Sequence, residues 1–270
     1  MTTTTSARSS LRRDLGLVAW QVRYEQRSYW RNRGRGVFTF VFPLMFLVIF
    51  ASLDKGARIS SRGNIAYDDF FVPGILAYGI ITTTFMNLAM NTAILRDQGV
   101  LKRMQGTPLP TSAYVAARII SAALVTLAMT IVVLGLGASA YGLQLRAAQL
   151  PALLLTLVLG TATFTSMGIG LTRFISTAES GPVVVNLLVF PLTFISNIWF
   201  PTDSLPRFLR TIAGIFPIRP LASGLQYVFD PRHARSSLLD GRSLETLAIW
   251  LVIGMYLMVR FLRQPQGEVA

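Results

Sequence analysis

Catalysis and ion coupling need titratable side chains held out of water, and this sequence is sparing with them. Only 14% of its 270 residues are charged, against about 25% in an ordinary soluble domain. There is one histidine, His233, and no cysteine. A thiolate metal site is therefore impossible, and an imidazole-based one lacks ligands, so no metal site is expected. None of the twelve carboxylates falls deep inside a long apolar run. Carriers driven by protons or sodium usually keep ionisable groups within the membrane, which argues against a self-powered carrier. No GxxxxGK[ST] phosphate loop is present, and the two lysines, Lys55 and Lys102, lie in other settings. The chain thus shows no catalytic residues and no energy source of its own. Uphill transport would have to be powered by a partner.

One polar stretch is placed to meet such a partner. Arg96 to Pro110, RDQGVLKRMQGTPLP, follows a run from Phe70 to Leu95 that carries no charge. As a helix, it sets Val100, Leu101 and Met104 on one face and Gln98, Lys102 and Gln105 on another. Gly106, Thr107 and Pro108 stop it. It reads either as an interfacial loop or as a docking element. On the docking reading Val100, Leu101 and Met104 face the partner, while Lys102 and Arg103 pair with acids on it.

The elements around this stretch are membrane spans. The chain is 52% hydrophobic and has a mean hydropathy of +0.53. Its apolar runs predict six spans over 37–53, 70–93, 111–141, 151–172, 182–199 and 244–262. Residues 1–36 form an N-terminal region, with Met1–Ser10 expected to be disordered and not a secretory signal. Leu11 to Trp30 is expected to be an amphipathic interfacial helix, and 264–270 a short tail. Eight arginines against Asp14 and Glu25 give residues 1–36 a net charge of +6, which places both termini in the cytoplasm under the positive-inside rule. The six arginines of 201–244 run against that orientation, although long loops weigh less. Net charge is +13, but it gathers at membrane boundaries, so no nucleic-acid partner is indicated. Arg118, near the inner end of the third span, is expected to snorkel to the interface. Leu205 to Phe216 is too short to cross and suggests a re-entrant or interfacial hairpin.

RDQGVLKRMQGTPLP resembles the segment after the second span of ABC-2-type transporter permeases, the drug, polymer and lipid export branch. There it forms the coupling helix that docks into the ATPase. Arg96, Gly99, Leu101, Lys102, Arg103, Thr107, Pro108 and Leu109 match, and Asp97 stands where glutamate is usual. FISNIWFPTDSLPRFLRTIAGIFPIRPL, Phe194 to Leu221, resembles that family's outer re-entrant stretch, with Asn197 in place of a frequent glycine. The resemblance implies an all-α six-span subunit of an exporter in the bacterial inner membrane, embedded in membrane lipids. Two nucleotide-binding ATPase subunits would bind the ATP and Mg²⁺, so this chain needs no cofactor. A second permease, identical or related, would complete the assembly.

Phe200, Pro201, Leu205, Pro206, Phe216 and Pro217 either form an outer gate or serve only in outer packing. Asn87, Asn91, Asn186 and Asn197 either face the translocation path or hold helices together. A membrane scaffold, or an enzyme without transport, is the alternative. The missing catalytic set weighs against the enzyme.

Overall fold

The computed structural model describes residues 3–53, 58–60, 63–106, 110–203, 205–233 and 239–263. Helix α1 runs Thr3–Arg31. It therefore takes in Thr3–Ser10, where disorder was expected, because no proline or glycine precedes Gly16 to stop it. Helix α2, Arg33–Leu53, carries Pro43 inside it. A small antiparallel hairpin follows, pairing β1 (Arg58–Ile59) with β2 (Ile65–Ala66). Its turn uses Gly63 and Asn64 at positive φ, a conformation these two residue types tolerate.

The second apolar helix is built in three parts: α3 (Tyr67–Ile81), a π-helical turn (Thr82–Met86) and α4 (Asn87–Asp97). Helix α5 covers Val100–Gln105, α6 Thr111–Tyr141 and α7 Leu150–Leu171. Single 3₁₀ turns flank α7 at Ala147–Gln149 and Thr172–Phe174. Then come α8 (Gly181–Phe194), α9 (Arg207–Ile215), α10 (Ile218–Phe229) and α11 (Gly241–Arg263).

Among the described residues four helices are long and apolar enough to cross a membrane: Tyr67–Asp97, Thr111–Tyr141, Ala147–Phe174 and Gly241–Arg263. The other two expected spans rest on shorter apolar helices, Thr39–Phe50 and Gly181–Phe194. At 1.5 Å per residue α8 is about 21 Å long, short of a hydrocarbon core of about 30 Å. It stops before 199 because the chain turns at Asn197, whose φ is +62°.

Helix α7 lies at the centre, packed on α11, α6, α4, the π-turn and α10. Its small residues allow this. A Cβ on Gly168 would stand 2.7 Å from the backbone oxygen of Phe85, and one on Gly170 2.8 Å from Cβ of Leu257. Polar side chains bond across the same contacts: Thr163 Oγ1 donates to the Leu247 carbonyl at 3.1 Å.

Candidate functional site: the α4–α5 corner

The corner between α4 and α5 is made by one residue. Gly99 has φ +67°, and a Cβ there would meet nothing within 4 Å. Backbone conformation alone, not crowding, therefore favours glycine. The Gln98 and Gly99 amides close the end of α4 on the Ile94 and Arg96 carbonyls, at 3.0 and 2.9 Å. The Arg103 amide then reaches back to Gly99 at 3.1 Å to open α5.

Arg96 and Asp97 hold a second segment against this corner. The Arg96 guanidinium donates to the Thr172 carbonyl at 3.0 Å and the Ser176 carbonyl at 2.9 Å. It is paired with Asp97 Oδ1 at 3.1 Å, and Asp97 Oδ2 accepts from the Ala178 amide. The loop from 172 to 180, between α7 and α8, is thus bound to the end of α4 by main-chain groups that would otherwise need water. Sequence reasoning placed both residues in the docking element; the structure turns their side chains onto the chain's own loop.

The apolar side of α5 also faces inward. Leu101 is 4% exposed and packs among Tyr114, Val115, Ile169, Met258, Phe261 and Leu262. Met104 lies against the same cluster. Val100 is half-buried, while Lys102 and Arg103 are exposed. Exposed Arg173, Phe174 and Glu179 stand on the tethered loop, and exposed Arg260 and Arg263 end α11 beside Leu101's cluster. This end of the bundle therefore carries a basic surface over an apolar plug. Thr107, Pro108 and Leu109 lie outside the described residues.

The opposite end is folded in on itself. Asn197 Oδ1 accepts from the Thr202 amide at 2.9 Å and from its hydroxyl. Gln226 Nε2 bridges the carbonyls of Asn197 (2.7 Å) and Phe70 (3.2 Å). Trp199 is buried among the rings of Phe46, Phe50, Tyr78 and Phe194. Among the gate candidates, Phe200 lies against Phe194 and Phe216 against Trp250. Pro217 is buried, Pro201 and Leu205 are half-buried and Pro206 is exposed. The four asparagines are not gathered together either. Asn197 shapes a turn, Asn186 bonds to the Pro182 carbonyl of its own helix at 2.8 Å, Asn91 is half-buried on α4, and Asn87 lines a small cavity.

Arg118 does not snorkel. It is 3% exposed, with NH1 on Glu25 Oε2 at 2.9 Å and Nε on the Tyr114 hydroxyl at 2.9 Å. Gln26 adds a bond from α1 to the Ser121 carbonyl at 2.8 Å. An acid on the amphipathic helix was the available signal: a guanidinium inside an apolar helix needs a counter-ion.

The profile of the ABC-2 type transporter family matches residues 17–229, through every element from α1 to α10. The chain belongs to the ABC-2 type transporter family. Two relatives from Escherichia coli K12 agree. The chain is 25% identical over 185 residues to the inner membrane transport permease YadH, covering 68% of this chain and 71% of that protein. It is 24% identical over 156 residues to the "probable multidrug ABC transporter permease" YbhR, covering 58% of this chain and 42% of that one. Family membership makes this chain the membrane subunit of an ABC transporter and implies an ATP-binding partner subunit.

Proposed function

We propose that this ABC-2 subunit is an exporter half in the bacterial inner membrane, and that its ATP-hydrolysing partner docks on the α4–α5 corner together with the 172–180 loop. One observation carries the reading: Lys102 and Arg103 are exposed on a short helix anchored by buried Leu101, beside a loop fastened to α4 by Arg96 and Asp97. A push on this corner would reach α4 and α7 together, which suits a population shift between inward- and outward-facing states. On this reading Leu101 and Met104 anchor α5, and Lys102, Arg103, Gln98 and Val100 meet the partner.

Six spans with both termini cytoplasmic are part of the same reading, with α2 and α8 as the short spans. The basic surface at the α5 end supports that orientation. Two such subunits over two ATPase subunits form the working assembly, and ATP and Mg²⁺ are handled in the partner. The cargo class is drug-like, lipid or glycoconjugate. Phe200, Pro201 and the α9–α10 hairpin serve as the outer gate. YbhR's name supports the drug-like option, and YadH's the inner membrane.

Co-purification from native membranes in mild detergent tests the proposal. A stoichiometric nucleotide-binding ATPase is expected, and Lys102→Glu with Arg103→Glu should lose it. A chain that purifies without any ATPase, while a control transporter stays intact, returns the scaffold or enzyme alternative.

A further inference from the structure

The cavity beside Arg118 lies apart from the docking corner and from the outer gate. Glu25 and Tyr29 of α1, Thr83 of the π-turn, Asn87 of α4, and Arg118 and Ser121 of α6 line it. Its volume is about 30 Å³, room for one small polar group rather than a whole molecule.

The hydrogen bonding around it is incomplete on one side. Thr82 and Thr84 turn their hydroxyls back onto the Gly79 and Ile80 carbonyls, at 3.0 and 2.6 Å. Thr83 between them is 4% exposed, and its Oγ1 has no partner. Arg118 uses Nε and NH1 on Tyr114 and Glu25; its NH2 bonds to none of the described residues. The Asn87 amide makes no hydrogen bond to them either. Thr83 Oγ1 is therefore a buried hydroxyl left unmatched, beside two open donors on Arg118 and Asn87, where most buried polar groups in proteins are satisfied. The π-turn helps to set them there, as such turns often do at functional positions.

Charge decides what fits. Glu25 already neutralises Arg118, with their side chains 13% and 4% exposed. A second anion would set two negative charges against one positive away from water, which is unfavourable. An uncharged oxygen can accept from Arg118 and Asn87, and a hydroxyl can also pair with Thr83. Leu88, Ala122 and Val125 supply an apolar wall for the rest of such a ligand.

We propose that this cavity binds the uncharged, hydroxyl- or carbonyl-bearing head of an amphiphile arriving from the cytoplasmic leaflet, and is a cargo-recognition subsite. This rests on the exporter reading for the ligand's role as cargo and for its side of arrival.

The test uses the full chain in phosphatidylcholine nanodiscs, photolabelled in parallel with a diazirine-bearing diacylglycerol and the matching phosphatidic acid. Diacylglycerol should label peptides carrying Asn87 or Ser121. Thr83→Val and Asn87→Leu should each cut that labelling about tenfold, the effect of one lost hydrogen bond. Labelling of the exposed α11 face at Val252 should not change. Neither substitution breaks a bond within the described chain, so folding should survive. Equal or stronger labelling of these peptides by phosphatidic acid overturns the proposal. So does diacylglycerol labelling that is absent there, or that both variants leave unchanged. No ATPase is needed for this readout. A parent chain that takes the label but purifies without an ATPase would strike the exporter reading; a parent chain that binds the ATPase but takes no label at these peptides would strike only the subsite.

Discussion

The 194–229 connection and the α4–α5 corner solve one problem with different chemistry. Each must fasten irregular backbone to the helix bundle through its carbonyls. In the 194–229 connection Gln226, an amide, bridges the carbonyls of Phe70 and Asn197 in a buried setting beside Trp199. At the α4–α5 corner Arg96, a cation, bridges those of Thr172 and Ser176, with Asp97 beside it at the edge of solvent. A neutral donor suits the place water does not reach, because a buried charge must be matched in full. A charged donor suits the edge, where water shares the load. The difference leaves the 194–229 connection closed on itself and the α4–α5 corner with exposed cations.

Substitutions can sharpen or break that contrast. Leu101→Asp should have the largest effect on the fold, about 3–5 kcal/mol, because it puts a carboxylate with no counter-ion into an apolar cluster. Leu101→Ala should cost about 2–4 kcal/mol through the cavity it leaves. Thermal unfolding in detergent measures both. A Leu101→Asp chain that melts like the parent yet loses its ATPase would mean that Leu101 faces the partner after all. Gln226→Leu should come next, at about 1–3 kcal/mol, since it takes the donor from the buried Asn197 carbonyl, which lies outside any helix. Arg96→Leu should cost less, about 1–2 kcal/mol, because the exposed Ser176 carbonyl can turn to water and the buried Thr172 carbonyl keeps the Ile175 amide; it should also speed proteolysis of the 172–180 loop. Equal costs at the two sites would break the comparison.

The helical membrane class was legible from the absence of charge between Phe70 and Leu95 and from runs such as 111–141. The family was legible from the 96–110 and 194–221 stretches. What escaped was which way side chains point. Leu101 and Met104 do share an apolar side, but periodicity cannot tell a partner from the chain's own α6 and α11, and Leu101 packs on both. Arg118 looked free to snorkel because its counter-ion, Glu25, lies 93 residues away. The π-turn leaves no mark beyond three threonines. Gln226 carried no signal at all, since its worth depends on two carbonyls brought together by folding.

The smallest effect on the fold should come from the residues proposed to meet the ATPase. Lys102 and Arg103 are exposed; Arg103 makes one long bond, 3.4 Å, to the Gln98 carbonyl. Changing both to glutamate should alter stability by no more than about 0.5 kcal/mol while abolishing ATPase co-purification. Alanine at both should weaken the complex less, because it removes attraction without adding repulsion. Raising salt should weaken the parent complex and have little further effect on the alanine form. If alanine and glutamate act alike and salt has no influence, charge is not what the partner reads. The contact would then pass to half-buried Val100 and the exposed Phe174 of the tethered loop, and the α4–α5 corner would resemble the 194–229 connection in relying on apolar packing.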